Sequence, residues 1–134
     1  MFDVKVNSLK NRMFLTVSEK LNPEEMQLFI NTALREASKL KAGFGIVCDI
    51  SHCDILAENV RQELERFMKE LKELNKGTEV RVVNPVTPMV SLQWQRSSWK
   101  AGYTAENVTS MRDAERKLDE AEQKAPARMA VMPA

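Results

Sequence analysis

Hydrophobic and polar residues follow strand-like and then helix-like spacings from the N-terminus. Residues 2–6 and 13–17 alternate between apolar and polar positions, which predicts two strands joined as a hairpin. A helix is predicted next, because Asn22 offers a cap, Pro23 suits the first helical position and Glu25 the third. Its apolar positions recur along one face and are Met26, Phe29, Ile30, Ala33, Leu34 and Ala37.

The middle of the chain predicts a buried strand and a strongly amphipathic helix. Residues 44–50 are apolar enough to be buried on both faces, which favours a central strand. From Val60 to Leu74 apolar residues recur every three or four positions, while charged residues cover the opposite face. The helix is expected to end at Asn75-Lys76-Gly77.

The C-terminal half predicts two more strands and two more helices. A strand is expected over 78–83, and Thr87-Pro88 opens a weaker helix that ends at Ala101-Gly102. Residues 107–109 suit only a short edge strand, and Ser110 with Asp113 forms the start of a last helix.

This order of elements predicts the fold class. Strands separated by helices pair in parallel through crossovers, so we expect an α/β domain with a mixed sheet of four to five strands and about four helices. The domain would span residues 1–122. Residues 123–134 show no periodic apolar face and are expected to form a flexible C-terminal tail.

Composition narrows the class of partner. The chain has 134 residues and a formal net charge of +1, so no long-range field would attract nucleic acid. No apolar run approaches the roughly 20 residues that cross a bilayer, which predicts a soluble, cytoplasmic protein without stable membrane insertion. Cys48 and Cys53 are expected to point to opposite faces and to stay unpaired.

The segment Ile46-Val47-Cys48-Asp49-Ile50-Ser51 resembles a strand of the STAS domains of anti-sigma factor antagonists, the SpoIIAA-like family, which ends in Asp-Leu-Ser. Residues 82–85, the helix end at Ala101-Gly102 and residues 108–118 are similar to later parts of those domains. The resemblance runs from about Phe2 to Leu118. It implies a mixed α/β fold and a non-enzymatic role in bacterial signalling through a protein partner, an anti-sigma-factor-like or other signalling protein.

The family's signalling loop carries Asp-Ser-Ser-Gly, whose second serine is phosphorylated by a partner kinase. The matching positions here are Ala57, Glu58, Asn59 and Val60. A register shifted by three places Ile55 and Leu56 on the serines, so the acceptor hydroxyl is missing in either alignment. The resemblance therefore implies a docking loop without the usual serine phosphorylation.

The loop after the central strand holds the first set of candidate site residues. We predict that a protein partner contacts Ser51, His52, Asp54, Glu58 and Asn59. The alternative is that Asp54 and Glu58 only stabilise the first turn of the following helix. One histidine and two cysteines are too few for a metal site, and adjacent residues rarely form a nucleophile and base, so we predict no enzyme, catalytic residue, metal or cofactor.

A second set of candidates carries aromatic and methionine side chains. Met89, Trp94, Trp99 and Tyr103 would form an interface or a site for a lipid or other small apolar ligand. Trp94 and Trp99 lie about 140° apart around a helix, so one should pack inward and an exposed one would indicate a homodimer face. Four of the eight methionines, Met13, Met26, Met68 and Met89, are expected at core positions.

Overall fold

A computed structural model describes the backbone of residues 1–131 and the side chains of residues 1–123. This part of the chain forms five strands and four helices in the predicted order. They are β1 (Phe2–Asn7), β2 (Arg12–Val17), α1 (Pro23–Ala37), β3 (Gly45–Asp49), α2 (Glu58–Glu73), β4 (Glu79–Val82), α3 (Pro88–Ala101), β5 (Glu106–Val108) and α4 (Met111–Val131).

The strands form one mixed sheet in the order β1-β2-β3-β4-β5. The opening hairpin pairs β1 with β2 antiparallel, and every later pair is parallel. Each parallel pair is joined by a helix, as a crossover connection requires. The α/β fold class with a mixed sheet and four helices is thereby confirmed.

Helices cover both faces of the sheet. Buried side chains of α1, α2 and α3 pack with Ile46 and Cys48 of β3 in the larger core cluster, and Ala114 and Leu118 of α4 pack with Val47 in the smaller one. Because both faces of β3 are buried, its residues from Gly45 to Cys48 are all apolar. The carboxyl ends of the parallel strands lie along the same side of the sheet, so the loop after β3 and the loop after β4 emerge next to each other.

Charged side chains also lie inside the domain, which the apolar pattern does not predict. On β4, Arg81 is 1% exposed and Glu79 is 5% exposed. Their side chains pair, with Arg81 Nη2 2.7 Å from Glu79 Oε2, and Arg81 Nη1 donates to Ser98 Oγ of α3 at 3.2 Å. This buried pair joins β4 to α3.

The prediction that the two cysteines face opposite sides of the sheet is wrong. Cys48 and Cys53 are both buried in the larger core cluster, and both thiols are free. The chain turns after β3, where the Cys53 N–H donates to the Ile50 carbonyl at 3.1 Å, and this turn returns Cys53 to the side that Cys48 faces. Alternation along a strand no longer applies once the strand has ended.

One expectation about the methionines is wrong, and the expectations about the C-terminal segment stay predictions. Met13, Met26 and Met68 are buried as expected, but Met89 is 58% exposed because it lies on the outer side of the first turn of α3. The backbone of α4 continues to Val131, and the domain end at residue 122 stays a prediction. The predicted flexibility of residues 123–134 falls largely on residues whose side chains or backbone lie outside the described part, and it stays a prediction.

Candidate protein-docking site

The loop between β3 and α2, residues 50–57, is held against the segment that follows β2. The Glu19 N–H donates to the His52 carbonyl at 2.8 Å, and the Asp54 N–H donates to the Glu19 carbonyl at 2.9 Å. Glu19 accepts a left-handed backbone conformation, with φ 61°, to make this pair of bonds. The loop is therefore an extension of the sheet with a defined shape.

The first turn of the loop is organised by the carboxylate of Asp49. Its Oδ1 accepts from the Ser51 backbone N–H at 3.0 Å and from the Ser51 hydroxyl at 2.6 Å. Ser51 Oγ also lies 3.1 Å from His52 Nδ1. Ser51 is thus half-buried with its hydroxyl occupied, while the His52 side chain is exposed beside it.

The remaining predicted docking residues, Asp54, Glu58 and Asn59, are all exposed. Asp54 makes no side-chain hydrogen bond or ion pair with the described residues. Ala57 is the N-cap of α2 and has no capping side chain, so the exposed start of this helix is available to a partner.

Glu58 is held by a cation of its own helix. Its carboxylate accepts from Arg61 Nη2 at 2.7 Å and from Arg61 Nε at 2.9 Å, and Arg61 also donates to Glu65 at 3.0 Å. The hydrogen bonds to Arg61 lower the pKa of Glu58. Glu58 therefore carries a constant negative charge, which Arg61 partly offsets. The helix dipole also favours a negative charge at this position, because Glu58 lies in the first turn of α2.

The side chain of Gln93 connects this loop to helix α3, and the sequence pattern does not predict this contact. Its Nε2 donates to the Leu56 carbonyl and its Oε1 accepts from the Leu56 N–H, both at 2.8 Å. The side-chain amide satisfies both main-chain groups of Leu56 as a neighbouring strand would. No sequence signal distinguishes Gln93 from Gln95, because the contact depends on how α3 packs.

An open groove of about 330 Å³ lies between the loop, α2 and α3. Its lining combines apolar, polar and charged side chains, namely Ile55, Glu58, Arg61, Met89, Leu92, Gln93, Arg96 and Lys100. Ile55 is 52% exposed and Met89 is 58% exposed, which is high for large apolar side chains. One predicted docking residue, Glu58, lies on this groove together with residues of α3.

The second predicted set does not form a single site. Trp94 is 2% exposed and packs in the core, so its assignment to an interface or ligand site is corrected, whereas the expectation that one tryptophan packs inward is confirmed. Trp99 is 53% exposed on α3. Tyr103 is half-buried, its hydroxyl donates to Glu79 Oε1 at 3.0 Å and Lys76 Nζ lies 3.9 Å from its ring centroid. Of the four residues, only Met89 lines the groove.

The described residues form neither a metal-ligand cluster nor a membrane-spanning helix. No group of three histidine, cysteine, aspartate or glutamate side chains in this part of the chain is arranged to hold a metal ion. None of its helices combines the length and apolar character that crossing a membrane requires.

Comparison with protein-family models gives no match, and neither does comparison with curated protein sequences. Solved structures do match. An uncharacterised DUF3478 family protein with a SpoIIAA-like fold, from Shewanella loihica PV-4, superposes with a TM-score of 0.64 at 13% identity, over 88% of this chain and 92% of that chain. This chain has the SpoIIAA-like fold.

Two further structures agree with the SpoIIAA-like fold. RsbS S58E of Moorella thermoacetica matches with a TM-score of 0.62 at 16% identity, over 90% of this chain and 97% of that chain. The anti-sigma factor antagonist SpoIIAA in its unphosphorylated form matches with a TM-score of 0.55 at 12% identity, over 91% and 98%. At these identities the likeness concerns the fold, and the function depends on the site.

Proposed function

We propose that this chain is a non-enzymatic regulatory domain that binds a protein partner through the loop and helix start at Ser51, His52, Asp54, Glu58 and Asn59. The partner would be an anti-sigma-factor-like protein or another signalling protein. The proposal is supported by the SpoIIAA-like fold together with the position of the loop at the edge where the parallel strands end.

The observation that carries the proposal is the pre-organised loop. Main-chain bonds to Glu19 and the Gln93 amide hold the loop from two sides, yet Asp54, Glu58 and Asn59 remain exposed. A surface that is already ordered before binding loses little conformational entropy when a partner docks.

The docking surface would keep a single charge state when it binds its partner, because no phosphoryl group would be added to it. Ala57, Glu58 and Asn59 present no hydroxyl at the start of α2, and the nearby Ser51 hydroxyl is engaged by Asp49 at 2.6 Å. A phosphoryl group on Ser51 would break that bond and place its charge of about −1.5 to −2 beside the Asp49 carboxylate. We therefore propose regulation by partner abundance or exchange, without the family's serine switch.

The test replaces Asp54, Glu58 and Asn59 together by alanine in the full chain. Partners are recovered by affinity purification from the source organism, identified by quantitative mass spectrometry and then titrated as purified proteins. We expect binding of the purified partner to fall by at least about tenfold, as loss of a contact cluster at an interface does. The matched control replaces Asn107, Glu115 and Glu120, exposed residues of β5 and α4, and should bind normally. Equal binding by both variants would contradict the proposal.

A second candidate is binding of a lipid or other small apolar ligand. The observation in its favour is the apolar part of the groove, formed by Ile55, Met89 and Leu92. The groove is open and also lined by charged side chains, whereas small-molecule pockets bury most of the ligand surface. Native mass spectrometry of the purified protein distinguishes the two: a bound apolar molecule that a Met89→Asp variant loses would support the ligand site.

A further inference from the structure

The groove between α2 and α3 combines apolar surface with excess positive charge. Ile55, Met89 and Leu92 provide the apolar surface, and Ile55 and Met89 are more than half exposed. Apolar side chains exposed within a groove, beside charged side chains at its rim, are typical of a surface that another macromolecule covers.

The charged residues of the groove are three cations and one carboxylate: Arg61, Arg96, Lys100 and Glu58. Arg61 is already bonded to Glu58 and Glu65. Arg96 and Lys100 are exposed, and neither forms an ion pair with a carboxylate of the described residues. The cations of the groove therefore outnumber its carboxylates and favour a negatively charged partner surface.

The groove also restricts the backbone conformation of its occupant. Its walls are the loop and two helices, and the edge strands of the sheet are β1 and β5, neither of which lines it. A bound segment would find no strand edge to pair with, which argues against an added strand. A helix needs no such edge, because it satisfies its own backbone hydrogen bonds, and it can lay one apolar side into a groove.

We propose that the occupant is an amphipathic helix of the partner protein, with apolar residues on one side flanked by glutamate or aspartate. This inference rests on the proposed function for the existence of a protein partner and adds the chemistry of the bound segment. The apolar side would cover Ile55, Met89 and Leu92, while the acidic residues pair with Arg96 and Lys100. The Gln93 bonds to Leu56 keep the loop wall in place for this contact.

Two other occupants fit the observations less well. A second copy of this chain docked symmetrically would bring two cationic grooves together, which costs free energy. An anionic membrane would attract Arg96 and Lys100, but the apolar residues line a concave groove and Glu58 and Asp54 are exposed beside it.

The test uses the full chain and two synthetic amphipathic helical peptides of equal length. Both carry leucine on one side; one has glutamate at the flanking positions and the other has lysine. Binding is followed by amide chemical shifts of Ile55, Met89 and Arg96 and by quenching of Trp99, which is 53% exposed one residue before Lys100. We expect the acidic peptide to bind at the groove at least about tenfold more tightly than the lysine peptide, and more weakly as salt rises.

Charge reversal then tests the named cations. Arg96→Glu with Lys100→Glu should weaken the acidic peptide at least about tenfold and improve binding of the lysine peptide. The matched control reverses Lys10 and Lys41, exposed lysines outside the groove, and should change either affinity less than about twofold. Circular dichroism confirms that each variant is folded, which is expected because all four side chains are exposed.

Other results overturn the proposal. These are no saturable binding of the acidic peptide up to about 1 mM, equal affinity for both peptides, insensitivity to the Arg96 and Lys100 reversal, binding of phosphatidylglycerol vesicles in place of the peptide, or a dimer that the reversal dissociates. Failure here is distinct from failure of the proposed function. If the Asp54, Glu58 and Asn59 variant loses a purified partner that the Arg96 and Lys100 variant retains, the docking loop stands and the acidic helix is excluded.

Discussion

At the scale of single residues, Gln93 has a role that its position in the sequence does not reveal. It lies on a helix beside the buried Trp94, yet its amide spans to the loop after β3 and bonds both main-chain groups of Leu56. Asp49 orders the other end of the loop, because its carboxylate accepts two hydrogen bonds from Ser51. These two side chains convert a connecting segment into an ordered surface.

We expect Gln93→Ala to loosen the loop without unfolding the domain. Leu56 would lose partners for its N–H and carbonyl, which should lower the free energy of unfolding by about 1 to 2 kcal/mol. Amide hydrogen exchange of Leu56 should accelerate by more than that of buried strand residues. Gln95→Ala on the same helix is the control, because Gln95 is also half-buried and makes no side-chain bond to the loop. Equal exchange of Leu56 in both variants would remove the proposed role of Gln93.

At the scale of secondary-structure elements, helix α4 is attached to the sheet by charge as well as by apolar contact. Arg12 of β2 is only 1% exposed, and its guanidinium lies 2.6 Å from Asp119 and 2.9 Å from Glu122. Its hydrogen bond lowers the pKa of Asp119. In the described part of α4, up to residue 123, the buried apolar side chains are Ala114 and Leu118, so the two ion pairs extend its contact with the sheet.

Arg12→Ala should therefore destabilise the domain by about 2 kcal/mol, since it removes packing of the buried side-chain stem together with charge-assisted hydrogen bonds. Urea unfolding followed by circular dichroism measures the change. The control is Lys5→Ala on β1, whose exposed ion pair with Asp3 spans 3.7 Å and should contribute less than about 0.5 kcal/mol. Similar losses in the two variants would show that α4 is held by apolar contact alone.

At the scale of the whole molecule, the fold buries several ionisable groups in their neutral form. Burial raises the pKa of the Cys53 thiol to about 11, and burial also raises the pKa of Cys48 and of Tyr103. Lys76 behaves oppositely, because burial lowers its pKa. The folded state therefore holds thiol and phenol protons that the unfolded chain releases in alkaline solution.

This predicts that stability falls at alkaline pH. A group whose pKa is higher in the folded state stabilises it fully below the unfolded value, 9.0 for Cys53, and loses that contribution as pH rises towards about 11. Lys76 opposes the trend up to 10.5, its ordinary value, but the two thiols, with an ordinary value of 9.0, act against it between pH 8 and pH 10. We expect the free energy of unfolding to fall by about 1 to 2 kcal/mol between about pH 8 and pH 10. Cys53→Ala should show a smaller fall, and a stability that rises over this range would contradict the assignment.

The sequence by itself determined the elements and their order. Helix and strand spacings predict all nine elements and the central position of β3, because burial of one or both faces imposes a periodicity that can be read along the chain. The same reading placed Asp54, Glu58 and Asn59 between β3 and the first turn of α2. Local pattern sufficed for features that depend on neighbours within a few residues.

The tertiary structure alone decided which distant side chains meet. Gln93 and Leu56 are separated by 37 positions, and Arg12 and Asp119 by 107, so no periodicity relates them. The structure also separated Met89 from Trp94, buried Cys53 with Cys48, and brought Arg96 and Lys100 beside Ile55 to form the groove. The physical reason is that hydrogen bonds and ion pairs depend on distance in space, which the crossovers and helix packing create only when the sheet is assembled.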